Sequence, residues 1–112
     1  YQGKLYLGRH ENGGAGEVFI YDLANPTNPA LLGSIDIDDD VNDLTVALPY
    51  AFLATDDSNR ELQIFNVSNP ASITAVGTLN LSNTATAVFF KKNHLYFSVK
   101  SNDGLQIVGP GP

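Results

Sequence analysis

Glu17-Val-Phe-Ile-Tyr-Asp-Leu-Ala-Asn-Pro26 and Glu61-Leu-Gln-Ile-Phe-Asn-Val-Ser-Asn-Pro70 are copies of one another, 44 positions apart. Each copy is an apolar run with alternating polar positions, which ends on Asn-Pro. Proline cannot donate to a strand ladder and holds the preceding residue extended, so each copy is a strand carrying its own stop signal. A period of roughly 40–50 residues made of short strands belongs to repeat folds whose units bury their faces only by stacking on neighbours.

Working outward from the copies, ten strand-like segments follow one another with no helical periodicity. They run Lys4 to Arg9, Glu17 to Leu23, Ala30 to Ile37, Val41 to Leu48, Tyr50 to Thr55, Glu61 to Val67, Ile73 to Leu81, Ala85 to Lys91, His94 to Lys100 and Gly104 to Val108. Between them lie turn formers such as Asn12-Gly-Gly, Pro49, Asp56-Asp-Ser-Asn59 and Asn102-Asp-Gly104, and links this short favour antiparallel meanders. Leu5-Tyr-Leu7 recurs as Ala51-Phe-Leu53 and Leu95-Tyr-Phe97, and Val18-Phe-Ile20 recurs as Leu62-Gln-Ile64 and Leu105-Gln-Ile107. With strands lettered A to D from the centre outward, the chain reads BCD, ABCD, ABC. The expected fold is all-β, a β-propeller-like array of antiparallel four-stranded blades, with a partial blade over 1–37, a full blade over 41–81 and a partial blade over 83–112. A two-sheet β-sandwich is the alternative. The aromatics Tyr6, Phe52, Tyr96 and Phe97 are expected to pack between blades, and Ile64 and Val67 to face one sheet packing. Gly33 and Gly77 fall in the last strand of their units, where a missing side chain allows a bulge or a close backbone approach.

The chain carries a net charge of −6 with six basic residues among its 112, and its hydrophobic fraction is 43%. That apolar share is that of a folded domain. Scattered lysines and arginines do not supply the clustered positive charge that tracks a phosphate backbone, so nucleic acid is excluded as a partner. No apolar run reaches the roughly 18 residues of a spanning helix. With no cysteine there are no disulfides or thiolate sites. With no methionine, the chain is expected to be a processed form or a piece of a longer one.

The densest polar stretch is Asp36-Ile-Asp-Asp-Asp-Val-Asn-Asp43. In the strand phasing it bridges one blade to the next, on the rim that also carries the B-to-C loops with Glu11, Asp56, Asp57 and Asp103. Three readings stand side by side. Asp36, Asp38, Asp39 and Asp40 are candidate calcium ligands, because hard cations take convergent carboxylates. Glu11, Asp43, Asp56, Asp57 and Asp103 extend the stretch into an acidic binding face. Both sets also read as solvated turns that keep the chain soluble. The spacing is not that of an EF-hand loop. The opposite rim, with Asn25-Pro-Thr-Asn-Pro29, Asn69-Pro-Ala-Ser72 and Lys91-Lys-Asn93, is mildly positive. Catalytic constellations are poor: His10 and His94 are the only histidines and lack metal-ligand spacing. Gly13-Gly-Ala-Gly16 links two strands rather than opening a helix, which fits a hairpin better than a phosphate cradle. The sequons Asn66-Val-Ser68 and Asn80-Leu-Ser82 read as coincidence.

Leu62-Gln-Ile-Phe-Asn-Val-Ser-Asn-Pro-Ala71 followed by Val76-Gly77, and Ile20-Tyr-Asp-Leu-Ala-Asn-Pro26 with Leu32-Gly33, resemble the repeat of bacterial and archaeal surface or secreted β-propellers known as LVIVD-repeat proteins. The third copy, Gly104-Leu-Gln-Ile-Val-Gly109, matches at its start and departs into Gly-Pro-Gly-Pro. The resemblance implies an extracellular or cell-surface location. It leaves activity open, because a fold does not fix a function. The function expected is a non-enzymatic binding or interaction module with calcium as a possible ligand. The alternative is a structural subunit, such as the globular head of a pilin-like filament whose anchor lies outside these residues. Other protein chains, or copies of this one, are the expected partners, through open strand edges.

Overall fold

The computed structural model describes residues 2–10, 16–81, 83–100 and 104–109. The strands are β1 (Lys4–Gly8), β2 (Val18–Asp22), β3 (Ala30–Ile35), β4 (Val41–Ala47), β5 (Tyr50–Thr55), β6 (Leu62–Asn66), β7 (Thr74–Leu79), β8 (Ala85–Lys91), β9 (His94–Val99) and β10 (Leu105–Val108). They form three antiparallel sheets in the orders β1-β2-β3, β4-β5-β6-β7 and β10-β9-β8. The architecture is therefore all-β and open, with three sheets rather than the two of a sandwich. The three-, four- and three-strand grouping is the one the phasing of the repeat predicts.

Register shows why the copies repeat. Tyr6 pairs with Ile20, Phe52 with Ile64 and Tyr96 with Ile107, one cross-strand pair made three times. Because side chains alternate between faces along a strand, each sheet has a forward face carrying this pair and a rear face carrying the residues between. Two clusters fill the spaces between sheets. Val18 and Ile20 of the first sheet meet Ala51, Leu53, Phe65 and Val67 of the second. Phe52, Ala54 and Leu62 of the second meet Val88, Leu95 and Phe97 of the third. The second sheet is thus covered on both faces, and β5 accordingly reads as an unbroken apolar run. Ile64 packs against the cluster on the forward side while Val67 lies in the cluster on the rear side. They do not share one packing, because an odd offset along a strand puts them on opposite faces. Tyr6 and Phe52 pack between sheets, and Phe97 is fully buried, whereas Tyr96 points out of the third sheet.

The repeat motif also explains its own corners. Asp22 Oδ1 accepts the Ala24 amide at 2.8 Å, and Asn66 Oδ1 accepts the Ser68 amide at 2.9 Å. Three residues later, Asn25 Oδ1 accepts the Thr27 amide and Asn69 Oδ1 the Ala71 amide. These are side-chain turns of the kind Asp and Asn favour. The second corner winds into a short 3-10 turn, η1 (Pro70–Ser72), capped by the Asn69 side chain.

Gly33 and Gly77 each follow a register shift, in which Leu32 and Val76 are the unpaired extra residues. Their surroundings differ. A Cβ on Gly33 would overlap the Pro70 carbonyl group of η1, whereas one on Gly77 would meet nothing within 4 Å. Gly33 is therefore needed for the approach of the second sheet's corner. Gly33→Ala is expected to destabilise the fold by about 1–3 kcal/mol, the usual cost of overpacking. Gly77→Ala should stay within about 0.5 kcal/mol of the parent, as an uncrowded surface change does. Urea unfolding of the two variants measures the contrast, and equal losses would mean that the corner does not seat on β3.

Candidate functional site

The loop between β3 and β4 and the loop between β5 and β6 meet on one rim, and the sequence explains how. Glu17 and Glu61, the opening residues of the two copies, are buried. Glu17 Oε1 accepts the amides of Ile37 at 2.7 Å and Asp38 at 3.1 Å, and Glu61 Oε1 accepts the Leu81 amide at 2.6 Å. Each carboxyl reaches 20 residues along the chain and pins the linker that leaves its sheet. Glu17 Oε2 is buried with no hydrogen-bond partner among the described residues. Sequence reasoning treated both glutamates as plain strand residues. The available signal was their recurrence as a charge at the head of an apolar strand.

With the linker fixed, the aspartates fall into place one by one. Asp36 Oδ1 accepts the Asp38 amide at 3.0 Å, and Asp38 takes a left-handed backbone with φ of 58°. Asp40 lies 3.8 Å from His10 Nδ1, and its carbonyl accepts the Asp56 amide. Asn42 is the bulged residue of β4, and its side-chain amide donates to Asp56 Oδ1 at 2.6 Å and to the Ala85 carbonyl at 2.8 Å. Asp57 closes the β5–β6 loop. Its Oδ1 accepts the Asn59 and Arg60 amides, and its Oδ2 takes both Nε and Nη2 of Arg60, at 2.9 and 2.7 Å. Arg60 also lies 3.8 Å from Asp39. Asp43 points elsewhere: Oδ1 accepts the Leu44 amide and Oδ2 the Val88 amide of the third sheet, so this carboxyl joins β4 to β8. Glu11 and Asp103 lie outside the described residues.

The structure thus brings Asp39 and Asp57 to Arg60, joins Asp40 to Asp56 through the backbone, keeps Asp36 and Asp38 on the adjoining linker, and assigns Asp43 to a joint between sheets. Among the described residues, no group of three or more His, Cys, Asp or Glu side chains is arranged to hold a metal ion. On the opposite rim an apolar cleft of about 670 Å³ opens between the second and third sheets, lined by Leu48, Tyr50, Phe52, Val76 and Phe90 among others. It lies beside the open Gly77 position.

Asp39 and Asp57 titrate as a pair. Burial, then its hydrogen bond to Asp57 and the charge of that group, raise Asp39 from 3.8 to about 6. The Asn59 amide, with Arg60, lowers Asp57 to about 2 against the opposing effect of burial. A carboxyl raised in the folded state stabilises while protonated, so the Asp39 contribution is full below its ordinary value of 3.8 and lost as pH rises through about 6. The lowered Asp57 contributes above 3.8 and loses that contribution as pH falls through about 2. Asp39→Asn removes the first effect and retains a donor to Asp57. Its stability relative to the parent is expected to grow between pH 4 and pH 7, reaching a Tm a few degrees higher at neutral pH. A difference that does not change with pH would disprove the shared proton. For the buried carboxyls, Glu17→Gln keeps the acceptor and should unfold near the parent. Glu17→Ala strands the Ile37 amide and should cost about 1–3 kcal/mol in chemical denaturation.

Comparison with known proteins bears on the fold and the repeat. No curated protein matches the chain. Among solved structures, the crystal structure of the computationally designed Ika4 protein is similar, with a TM-score of 0.63 and 15% identity over 88% of this chain. The match covers 57% of that protein, so the chain spans little more than half its length. At that identity the likeness speaks for the fold alone. The LVIVD repeat model matches residues 14–37 and 39–80, the two segments that carry the buried glutamates and the Asn-Pro corners. With more than half of its residues matched, the chain belongs to the LVIVD-repeat family.

Proposed function

We propose that the chain is a non-enzymatic interaction module of a cell-surface or secreted protein. Its three sheets are propeller blades over 1–37, 41–81 and 83–112, and its acidic rim is the face that meets partners. The observation that carries this reading is the meeting of the β3–β4 linker and the β5–β6 loop, whose aspartates come together around a single Arg60. The net charge of −6 leaves that face a field attractive to basic surfaces. Strand positions are committed to packing on both sides of the second sheet, so rim loops are where recognition can vary without loss of fold. Family membership supports the location.

A basic peptide is the simplest probe. An oligolysine peptide is expected to bind at low ionic strength, and to weaken steeply as salt screens exposed charges. The double variant Asp36→Asn with Asp56→Asn should weaken it by about twofold to tenfold, in line with exposed ion pairs worth a few tenths to 1 kcal/mol each. Absence of binding at low salt would remove the rim as the partner face. The same reading admits calcium at Asp36, Asp38, Asp39 and Asp40. A ligand that binds only the folded state raises Tm, so an unchanged Tm at millimolar calcium would eliminate the cation while leaving the peptide result to stand.

The filament-subunit reading draws on a different observation. Strands β1 and β10 are edge strands with no ladder partner on their outer sides among the described residues. Edges of this kind accept further strands. Fibres of the isolated chain, seen by electron microscopy, would favour that reading.

A further inference from the structure

We propose that Asn66 is an acceptor for N-linked sugar, transferred to its Nδ2 from a polyprenyl-pyrophosphate-linked oligosaccharide. The inference rests on the surface or secreted location proposed above, because sugars of this kind are placed on exported chains.

In sequence, Asn66-Val-Ser68 and Asn80-Leu-Ser82 are equal matches to the acceptor pattern. Ser82 lies outside the described residues, whereas the first match is complete. Asn66 is the last residue of β6, and its Oδ1 accepts the Ser68 amide at 2.9 Å and the Ser68 hydroxyl at 2.7 Å. Nδ2 of Asn66 makes no hydrogen bond among the described residues. Asn66 is half-buried and Ser68 is exposed. This corner lies at the end of β6 away from the β5–β6 loop, so a sugar here leaves the acidic rim open.

The first copy shows that the fold does not require this chemistry. There Asp22 Oδ1 accepts the Ala24 amide at 2.8 Å, and the corner forms with neither a carboxamide nitrogen nor a hydroxyl. A side-chain oxygen bonded to the backbone is all that such a turn needs. The Asn66 nitrogen and the Ser68 hydroxyl are therefore surplus to it. Asn25 and Thr27 make the same two bonds, at 3.3 and 2.9 Å, but Pro26 stands between them, and proline in that place disqualifies an acceptor. Among the described corners, the one at Asn66 combines carboxamide, hydroxyl and an allowed middle residue, Val67. Transfer forms a bond from Nδ2 to the anomeric carbon and breaks that carbon's bond to the pyrophosphate oxygen, which leaves with the electron pair. The Nδ2 proton passes to a base of the transferase. The two donors already on Oδ1 stabilise the negative charge that develops on the carboxamide as the proton leaves.

The probe is a purified oligosaccharyltransferase that reads Asn-X-Ser/Thr, supplied with its polyprenyl-pyrophosphate-linked oligosaccharide. It acts on the folded chain carrying Asn80→Gln, which leaves one sequon free of proline. Intact mass should rise by one oligosaccharide, and fragmentation should place it on Asn66. Adding Asn66→Asp should abolish the gain and Ser68→Ala nearly so, whereas Ser68→Thr should retain it. Asn66→Asp and Ser68→Ala should each melt within a few degrees of the parent, because the first copy builds its corner from those two residues. No gain in mass on the folded chain overturns the proposal, whether or not a peptide spanning 61–72 is modified. So does a gain that persists in Ser68→Ala, or a large fall in Tm in both variants, which would give the carboxamide and hydroxyl a structural task instead. The assay uses purified protein and so tests the site apart from the location, which export of the chain tests separately.

Discussion

Everything in this structure follows from the need of each sheet to cover two apolar faces. An isolated two-stranded hairpin is marginal in water and larger sheets are stabilised by an apolar face that is packed; the second sheet has both of its faces packed, one on each neighbour. Its residues alternate between two destinations: Ala51, Leu53 and Phe65 go to one cluster, and Phe52, Ala54 and Leu62 to the other. Burial of a large aliphatic or aromatic side chain contributes about 1.5–3 kcal/mol, so these few positions outweigh any single polar contact on the rims. In the third sheet the same residue types occur at the same positions, yet β9 buries only alternate side chains and β10 alternates exposed with half-buried ones. Residue type is set by the repeat, and burial is set by the neighbour.

Polar groups have the second task, which is to hold the linkers so that successive sheets arrive at a fixed spacing. Glu17 and Glu61 do this from inside, Asp57 and Arg60 from the loop, and Asn42 and Asp43 between the second and third sheets. Several aspartates that read in sequence as a uniform acidic face are thus divided in role. Asp43 and Asp57 are bound into the scaffold by backbone amides, while Asp36 and Asp56 stand at the surface of the rim. Asp39 is raised by burial and by its neighbour Asp57, and Asp57 is lowered by the Asn59 amide together with Arg60, so one carboxyl of the pair holds its proton while the other gives it up.

Strand count, grouping and register were legible because a 44-residue echo fixes phase independently of propensity, and alternation then assigns faces. What could not be read was whatever depends on contact across the repeat. The opposite destinations of Ile64 and Val67 follow from their odd spacing, but that the second sheet has a neighbour on each face to receive them is set by contacts across the repeat. The difference between Gly33 and Gly77 lies wholly in the presence of Pro70 beside one and not the other. The buried glutamates were visible as a recurrence, but their task is a bond made 20 residues away. On the rim, the meeting of linker and loop followed from the phasing. Which carboxyl would be taken up by a backbone amide did not, because that depends on loop geometry at the scale of a hydrogen bond.

The third repeat shows which part of the motif belongs to the strand and which to the linker. It keeps Leu105, Gln106 and Ile107 and so keeps its pairing with β9, but Gly104 stands where Glu17 and Glu61 stand, with φ of 57°. Gly109 replaces the Asp22 and Asn66 that cap the corners. The strand residues make the ladder, whereas in the first two copies the carboxyl pins a linker and the Asp or Asn caps a corner. The family model covers strands and linkers alike over 14–37 and 39–80, and within it the carboxyl and the Asn-Pro corner are the parts that couple one sheet to the next.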